Sequence, residues 1–363
     1  MSKWAWMQES RRDAQAKGDR ERLRMMRVGD EAWGYRESDP ARAQALYEEG
    51  LRRARQLGEP WWEMYYAQRR LQALMLWRYC YGDALGLAVE SALDARKPQY
   101  ASYPHLFDVY FHLVMAYVGV DPAGYAAEIG QAIGSLERDV PRFDSDGFLI
   151  EFAKREFALW VNDLEAAEQS AWRALRLAEE GVSRSTADYF LAFVYADLCA
   201  VDFKRADTEA LAEHAAAGEE KARQSGQQLQ ISECQLWQAL LARQAGDEAR
   251  AHALRLSAVA RVNRLKQPPV QRWFDALCAW SLYENDLPAA LGVRDQELAA
   301  IVGHGQLAYE VYCQVERCRL LAMMGRPLDE GMAAAREAAG KLKNPAPRLA
   351  ELDAIVEGEG GPP

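Results

Sequence analysis

Residues 246–264 read GDEARAHALRLSAVARVNR, and residues 162–180 read NDLEAAEQSAWRALRLAEE. Each stretch opens with Gly or Asn followed by Asp, and then continues without a helix breaker. Gly and Asn tolerate the left-handed backbone conformation that ends a helix. The Asp that follows accepts hydrogen bonds from the free backbone N–H groups of the next helix. The pattern therefore predicts a tight turn that joins two antiparallel helices.

This turn signal recurs along the chain, with 38 to 45 residues between successive copies. A nearly constant period of about 40 residues is typical of stacked supersecondary units. Sustained period-two alternation, the signature of strands, is almost absent. The predicted turns are Ser38-Asp39-Pro40, Gly82-Asp83, Val120-Asp121-Pro122, Asn162-Asp163, Val201-Asp202, Gly246-Asp247, Asn285-Asp286 and Gly325-Arg326-Pro327.

Small residues follow three of these turns at matching places. They stand four and eleven positions after the capping Asp, and small side chains there let two helices approach closely. The pairs are Ala43 and Gly50, Ala167 and Ala174, and Ala251 and Ala258.

Together these residues resemble the tetratricopeptide repeat, in which such a turn joins helix A to helix B and helix B carries alanines at those two offsets. The resemblance covers residues 20–342 and implies an all-α fold, a right-handed α-solenoid of about eight antiparallel helix hairpins. We expect residues 1–19 to form an N-terminal capping helix. Residues 343–363 are expected to form a C-terminal capping helix and a disordered tail. No linker interrupts the repeats, which predicts one solenoid.

Residues 60–83, PWWEMYYAQRRLQALMLWRYCYGD, are the most aromatic stretch of the chain. The period places them on helix A of the second hairpin, which is predicted to end at Gly82-Asp83. Neighbouring hairpins surround such a helix, so most of its aromatic side chains are expected in the core.

Composition and charge narrow the classes of function. The chain has 363 residues and a net charge of −10. Residues 1–100 carry 18 Lys and Arg against 15 Asp and Glu, so the excess of acid lies in the rest of the chain. Acidic chains bind nucleic acid poorly, because phosphate neutralisation supplies most non-specific affinity. No run of apolar residues is long enough for a signal peptide or a membrane span. Six cysteines without a C-x-x-C pair suit a reducing compartment, and we expect a cytoplasmic protein.

No motif for catalysis or for a cofactor stands out. The stretch 303-GHGQLA-308 fits a dinucleotide signature in letters, but it follows a predicted helix and not a strand, so Gly303 is predicted to be a helix stop. The five histidines lack metal-ligand spacing. We therefore predict a protein that is not an enzyme, with no catalytic residue, cofactor or metal. A cysteine–histidine pair distant in sequence remains open.

The resemblance implies a groove lined by the A helices, which would bind an extended peptide or a partner's helix. Arginines in that groove would suit an acidic or carboxylate-bearing segment. Phe107 and Tyr195 also fall at groove offsets but could be core residues. The predicted groove residues are Gln68, Arg69, Gln72, Arg78, Tyr79, Tyr110, Tyr117, Glu156, Tyr195, Arg243, Arg272 and Arg319.

Three functions are compatible with this pattern. The main hypothesis is a non-enzymatic scaffold or adaptor that binds proteins or peptides in a bacterial-type cytosol. The alternative is a bacterial signalling regulator whose superhelical pitch changes when a peptide binds. The third is an all-helical enzyme with an unrecognised site. Self-association is open for all three.

Overall fold

The computed structural model describes residues 4–35, 39–78, 80–138, 146–181, 184–265 and 271–357. These residues form α-helices with no strand among them. The helices are α1 (Ala5–Ala16), α2 (Arg20–Tyr35), α3 (Pro40–Leu57), α4 (Pro60–Gln72), α5 (Tyr81–Asp94), α6 (Leu106–Val120), α7 (Ala126–Arg138), α8 (Asp146–Trp160), α9 (Leu164–Gly181), α10 (Arg184–Lys204), α11 (Thr208–Ser225), α12 (Gln228–Gln244), α13 (Glu248–Val262), α14 (Gln271–Tyr283), α15 (Leu287–Ile301), α16 (Leu307–Met323), α17 (Asp329–Ala339) and α18 (Ala346–Glu357).

Helices α2 to α17 pair in chain order, which gives eight hairpins within the described residues. The even-numbered member of each pair is called the A helix below, and the odd-numbered member the B helix. The all-α fold of tetratricopeptide-like hairpins is therefore confirmed. The hairpins fall into two compact units. Unit 1 comprises Met1–Asp146 and Gly303–Gln306, and unit 2 comprises Gly147–Val302 and Leu307–Pro363.

The hairpin turns follow the predicted chemistry at most positions. Asn162, Gly246 and Asn285 have left-handed φ values of 59°, 81° and 55°. The side chain of Asp247 then accepts from the backbone N–H of Arg250 at 3.2 Å, and the other turns repeat this cap. Each turn therefore satisfies free N–H groups at the start of a B helix.

Two predicted turns are wrong in position. Gly82-Asp83 lies inside the first turn of α5, because a π-helical segment, Ala73–Trp77, ends helix A of the second hairpin before it. Val201-Asp202 lies inside α10, which continues to Lys204. The real turn is Ala206-Asp207, where Ala206 has a φ of 56° and Asp207 caps α11. Alanine is a rare residue at a left-handed position, so the sequence carried no Gly or Asn signal there.

The predicted core positions are buried. Ala43, Ala167, Ala174, Ala251 and Ala258 have no exposed surface. In the aromatic stretch, Trp62, Tyr65, Tyr66, Leu71 and Met75 are buried as expected.

The terminal helices pack on their neighbours. Helix α1 contributes Ala14 to the core of the first hairpin, and α18 contributes Leu352 and Ile355 to the core around α16 and α17. The division into capping helices and solenoid stays a prediction, and the tail after residue 357 lies outside the described residues.

Helix α15 ends at Ile301, and Gly303 follows with a φ of 82°. The prediction of a helix stop at Gly303 is confirmed, since a helix and not a strand precedes the glycine. Among the described helices, none combines the length and the hydropathy needed to cross a bilayer. The described part of the chain also holds no group of three or more His, Cys, Asp or Glu side chains placed to bind a metal ion.

Candidate functional site

Four successive A helices of unit 2 bring charged side chains to one place. Helix α8 contributes Arg155 and Glu156, α10 contributes Asp197, α12 contributes Glu233, and α14 contributes Arg272. We call these five residues the charged A face. Each of the following positions is counted back from the Asp that caps the next B helix. Glu156 lies seven residues before its Asp and Asp197 lies ten before, while Glu233 and Arg272 both lie fourteen before. Offsets of three or four residues keep side chains on one side of a helix.

The charged A face is a network of ion pairs centred on Asp197. One oxygen of Asp197 contacts Arg155, and the other contacts Arg272. Arg155 Nη2 also lies 3.1 Å from Glu156 Oε1. Arg272 Nε lies 3.8 Å from Glu233 Oε2, which is beyond hydrogen-bond distance. The two arginines are therefore committed mainly to Asp197.

Several polar atoms of this network lack a hydrogen-bond partner. They include Nε and Nη1 of Arg155 and both carboxylate oxygens of Glu233. Arg155 is 1% exposed and Glu233 is fully buried. A buried polar group without a partner destabilises a fold by about 1–3 kcal/mol, and by more when it is charged. The network thus departs from the usual rule that buried charges are fully paired.

Burial dominates the electrostatics of the two inner carboxyl groups. It raises the pKa of Glu233 to about 7, since Arg272 compensates only in part and Asp197 and Glu156 add like charge. It also raises the pKa of Asp197 to about 6, although Arg155 and Arg272 favour its ionised form. Around neutral pH the charged A face therefore exchanges a proton.

Unit 1 has a different A-helix surface around Arg69 on α4. The guanidinium carbon of Arg69 lies 5.1–5.2 Å from the ring centres of Trp4, Trp33 and Tyr65. Its Nη1 donates to Gln72 Oε1 at 2.5 Å. Aromatic faces attract a guanidinium through their quadrupoles. This arrangement holds Arg69 in place without a carboxylate partner among the described residues.

Of the predicted groove residues, the structure brings Glu156 and Arg272 together in unit 2, 3.8 Å apart. In unit 1 it brings Arg69 and Gln72 together. Gln68 is buried, and its Nε2 donates to the carbonyl oxygen of His105 at 3.1 Å.

The remaining predicted residues are dispersed. Arg78 is exposed and donates to Gln44. Tyr110 packs in the core near Met64, and Tyr117 packs on Tyr125. Phe107 is a buried core residue, and Tyr195 packs on His214 of its own hairpin. Arg243 pairs with Glu248 and Glu284 near its hairpin turn, and Arg319 pairs with Glu316. Tyr79 lies outside the described residues.

Sequence reasoning missed Arg155, Asp197 and Glu233. Tyr195 was predicted from the turn at Val201-Asp202, but Asp202 lies inside α10. Counting ten back from the real cap, Asp207, reaches Asp197. Counting fourteen back from Asp247 reaches Glu233 in the same way as Arg272 is reached from Asp286. A correct turn would therefore have moved the predicted position on α10 toward Asp197, whereas Glu233 precedes a correctly predicted turn and was still missed.

A second buried ion network lies beside the charged A face in unit 2, and it is better satisfied. Arg294 Nη2 donates to Asp275 Oδ1 at 2.8 Å, and Arg294 Nη1 donates to Glu297 Oε2. Tyr309 and Tyr312 donate their hydroxyl hydrogens to Glu297 and Asp275 at 2.6 and 2.9 Å. These bonds join α14, α15 and α16, so the network holds three helices together.

A surface cleft of about 420 Å³ in unit 1 is lined by residues of α3 and α4. Its lining includes Arg55 and Arg70. Arg55 pairs with Glu63 at 2.8 Å and Arg70 pairs with Glu48 at 3.0 Å. Two of the arginines at this cleft are thus already paired with carboxylates, and we place the candidate site on the charged A face.

Comparison with known proteins supports the fold. No protein-family model matches the chain, and no curated protein matches it. Among solved structures, it is similar to the apo form of the quorum sensor NprR from B. thuringiensis, with 14% identity, a TM-score of 0.54 and 90% of each chain covered. It also aligns with BtubC (BKLC) from P. vanneervenii, with 14% identity, a TM-score of 0.34, and coverage of 71% of this chain and 94% of that one. At such identities the likeness to NprR shows a tetratricopeptide-like helical repeat fold.

Proposed function

We propose that the chain is a non-enzymatic protein that binds a peptide or an extended segment of a partner protein, and that the charged A face contacts this ligand. One observation carries the proposal. Two A helices, α8 and α12, bury Arg155 and Glu233 while leaving polar atoms of both side chains without hydrogen-bond partners. Strained or unsatisfied polar groups of this kind are concentrated at functional sites.

The ligand chemistry follows from the same atoms. An extended peptide offers both N–H donors and C=O acceptors along its backbone. The free oxygens of Glu233 can accept hydrogen bonds, and the free N–H groups of Arg155 can donate them. A bound peptide would thus provide acceptors for the N–H groups of Arg155 and donors for the oxygens of Glu233 at one site.

An acidic or carboxylate-bearing partner segment is less well supported in unit 2. Arg272, Arg243 and Arg319 already contact carboxylates. In unit 1, Arg69 has no such partner among the described residues and remains the position at which an acidic segment would bind. That part of the hypothesis stays a prediction.

A peptide-display selection with the full chain tests the proposal. Arg272 lies at the rim of the site, with 17% of its side chain exposed. We expect Arg272→Met to lower the affinity for the selected peptides at least tenfold. The control is Arg173→Met on α9, which removes another ion pair of unit 2, with Glu151. Failure to select any peptide, together with turnover of a substrate by the pure protein, would favour the enzyme hypothesis.

A peptide-responsive regulator is the second candidate, and the likeness of the fold to the quorum sensor NprR favours it. A regulator must change its conformation when its ligand binds, whereas a scaffold need not. Small-angle X-ray scattering with and without a selected peptide separates the two. A peptide-dependent decrease in the radius of gyration would support the regulator, and an unchanged radius would support the scaffold.

A further inference from the structure

We infer that the ligand of the charged A face carries a cationic group, an amine or a guanidinium, that pairs with Glu233. The inference rests on the proposed function and specifies the ligand class for that site. Its basis is the charge, burial and geometry of the five residues that form the site.

The charged A face has an excess of acid. Glu156, Asp197 and Glu233 contribute three carboxylates, and Arg155 and Arg272 contribute two guanidinium groups. One additional positive charge would balance the cluster. Buried charges are stable in proteins chiefly when they are paired in this way.

Glu233 is the carboxylate of the cluster that has no cationic group within hydrogen-bond distance among the described residues. Asp197 has both arginines in contact, and Glu156 lies 3.1 Å from Arg155. The nearest cationic atom to Glu233 is Arg272 Nε at 3.8 Å, whereas charge-assisted N–H···O bonds are usually 2.7–2.9 Å long. The geometry therefore leaves Glu233 free to accept hydrogen bonds from a bound ammonium or guanidinium group.

The rim of the site shows where such a group would enter. Glu156 and Arg272 each have 17% of the side chain exposed, while Glu233 beneath them has none. A ligand cation that enters beside the Arg272 side chain, which stays on Asp197, would reach Glu233 and would leave water excluded. Exclusion of water strengthens the pairing of opposite charges.

Glu233 is surrounded by titratable and charged groups on three other A helices. They are Glu156 of α8, Asp197 and Cys199 of α10, and Arg272 of α14, and Arg155 of α8 pairs with Asp197. Burial raises the pKa of Glu233 to about 7, so a bound cation and a proton compete for this carboxylate. Since the cation favours the ionised form, the affinity should increase with pH up to about 7 and then level off. Because one proton is linked to binding, the affinity for the cation should be about tenfold higher at pH 8 than at pH 6.

Two matched libraries of synthetic decapeptides test the inference on the full chain. The cationic library contains lysine, arginine and free amino termini. The neutral library replaces them with Nε-acetyl-lysine, citrulline and acetylated termini. We expect binders from the cationic library alone, and those that bind through lysine or arginine should show the tenfold pH dependence given above, since these side chains stay charged up to pH 8.

Glu233→Gln keeps the shape of the protonated side chain but not its charge. This variant should bind the cationic peptides at least tenfold more weakly, and its affinity for them should no longer depend on pH. Glu151→Gln is the control, because Glu151 is also buried on an A helix of unit 2 but pairs with Lys154 and Arg173. This control should bind as the wild type does.

The outcomes separate the two proposals. Equal binding from both libraries, lost in Arg272→Met, would overturn the cationic ligand and leave the peptide-binding function standing. Cationic binders that Glu233→Gln does not affect would also overturn it. Binders from neither library would overturn the proposed function and this inference together.

Discussion

At the scale of single residues, close packing decides what the hairpins tolerate. In unit 1, Tyr66 is fully buried and donates its hydroxyl hydrogen to the carbonyl oxygen of Met25 at 2.5 Å. Its ring lies against Gly50, one of the small residues predicted from the repeat. A Cβ atom at position 50 would overlap the ring, and the ring has no exposed side toward which it can move.

Gly50→Ala should therefore destabilise the protein by about 1–3 kcal/mol, the usual cost of overpacking a core. The measurement is the free energy of unfolding in urea. The control is Gly130→Ala in α7, where an added Cβ meets no atom within 4 Å. That change should be neutral or stabilise by about 0.5–1 kcal/mol, because alanine favours helix over glycine. Equal stability of the two variants would contradict the packing argument.

At the scale of elements, the residue at the left-handed position of each turn decides whether the turn can be predicted from the sequence. Hairpins 4, 6 and 7 have Asn or Gly at the left-handed position and were predicted correctly. Hairpin 5 has Ala206 there, and its turn was placed five residues too early at Val201-Asp202. Backbone hydrogen bonds of the turn, from Ala206 N–H to Phe203 O at 3.0 Å and from Asp207 N–H to Asp202 O at 2.9 Å, accompany a conformation that alanine's own preference opposes.

The turn of hairpin 5 is therefore destabilised by the positive φ of its alanine, whereas the turn of hairpin 6 has glycine at that position and is not. Ala206→Gly should stabilise the protein by up to about 1 kcal/mol, since glycine adopts a positive φ without a steric penalty. Gly246→Ala, with a φ of 81° at the equivalent position, should destabilise it by about 1 kcal/mol. Urea unfolding of the two variants measures both effects. Shifts of the same sign would show that φ does not control these turns.

The candidate site was predictable only in part, and the misplaced turn accounts for one of the residues that were missed. Glu156 and Arg272 precede correctly predicted turns, and both were named from sequence. Asp197 precedes the misplaced turn, and Tyr195 was named instead. Glu233 precedes a correctly predicted turn, but it is one of several polar residues on α12, and no local pattern marks it as a binding residue. Its significance depends on Arg272 and Asp197, which other helices contribute.

At the scale of the whole molecule, the charged A face should make stability depend on pH. The pKa of Glu233 is raised in the folded state to about 7, from an ordinary value of 4.5. Between these values the folded protein binds more protons than the unfolded chain. Stability contributed by this group is therefore complete below pH 4.5, is lost as the pH rises to 7, and stays lost above that.

Glu233→Gln removes this dependence, because the amide is neutral at every pH. At pH 8 the variant should be more stable than the wild type by up to about 3 kcal/mol, which is the free-energy equivalent of the raised pKa. Near pH 4.5 the two proteins should be equally stable. Urea unfolding at both pH values measures the difference. A variant less stable at pH 8 would show that Glu233 contributes to folding through its charge.

A more stable variant that no longer binds cationic peptides would separate folding from function at one position. Residues selected only for folding seldom destabilise the protein that contains them, whereas binding residues often do. Asp197→Asn should behave oppositely, because it leaves Arg155 and Arg272 buried without their common carboxylate. Loss of one partner from a buried pair costs about 3–5 kcal/mol. The contrast between the two variants would assign Asp197 to the stability of unit 2 and Glu233 to its ligand.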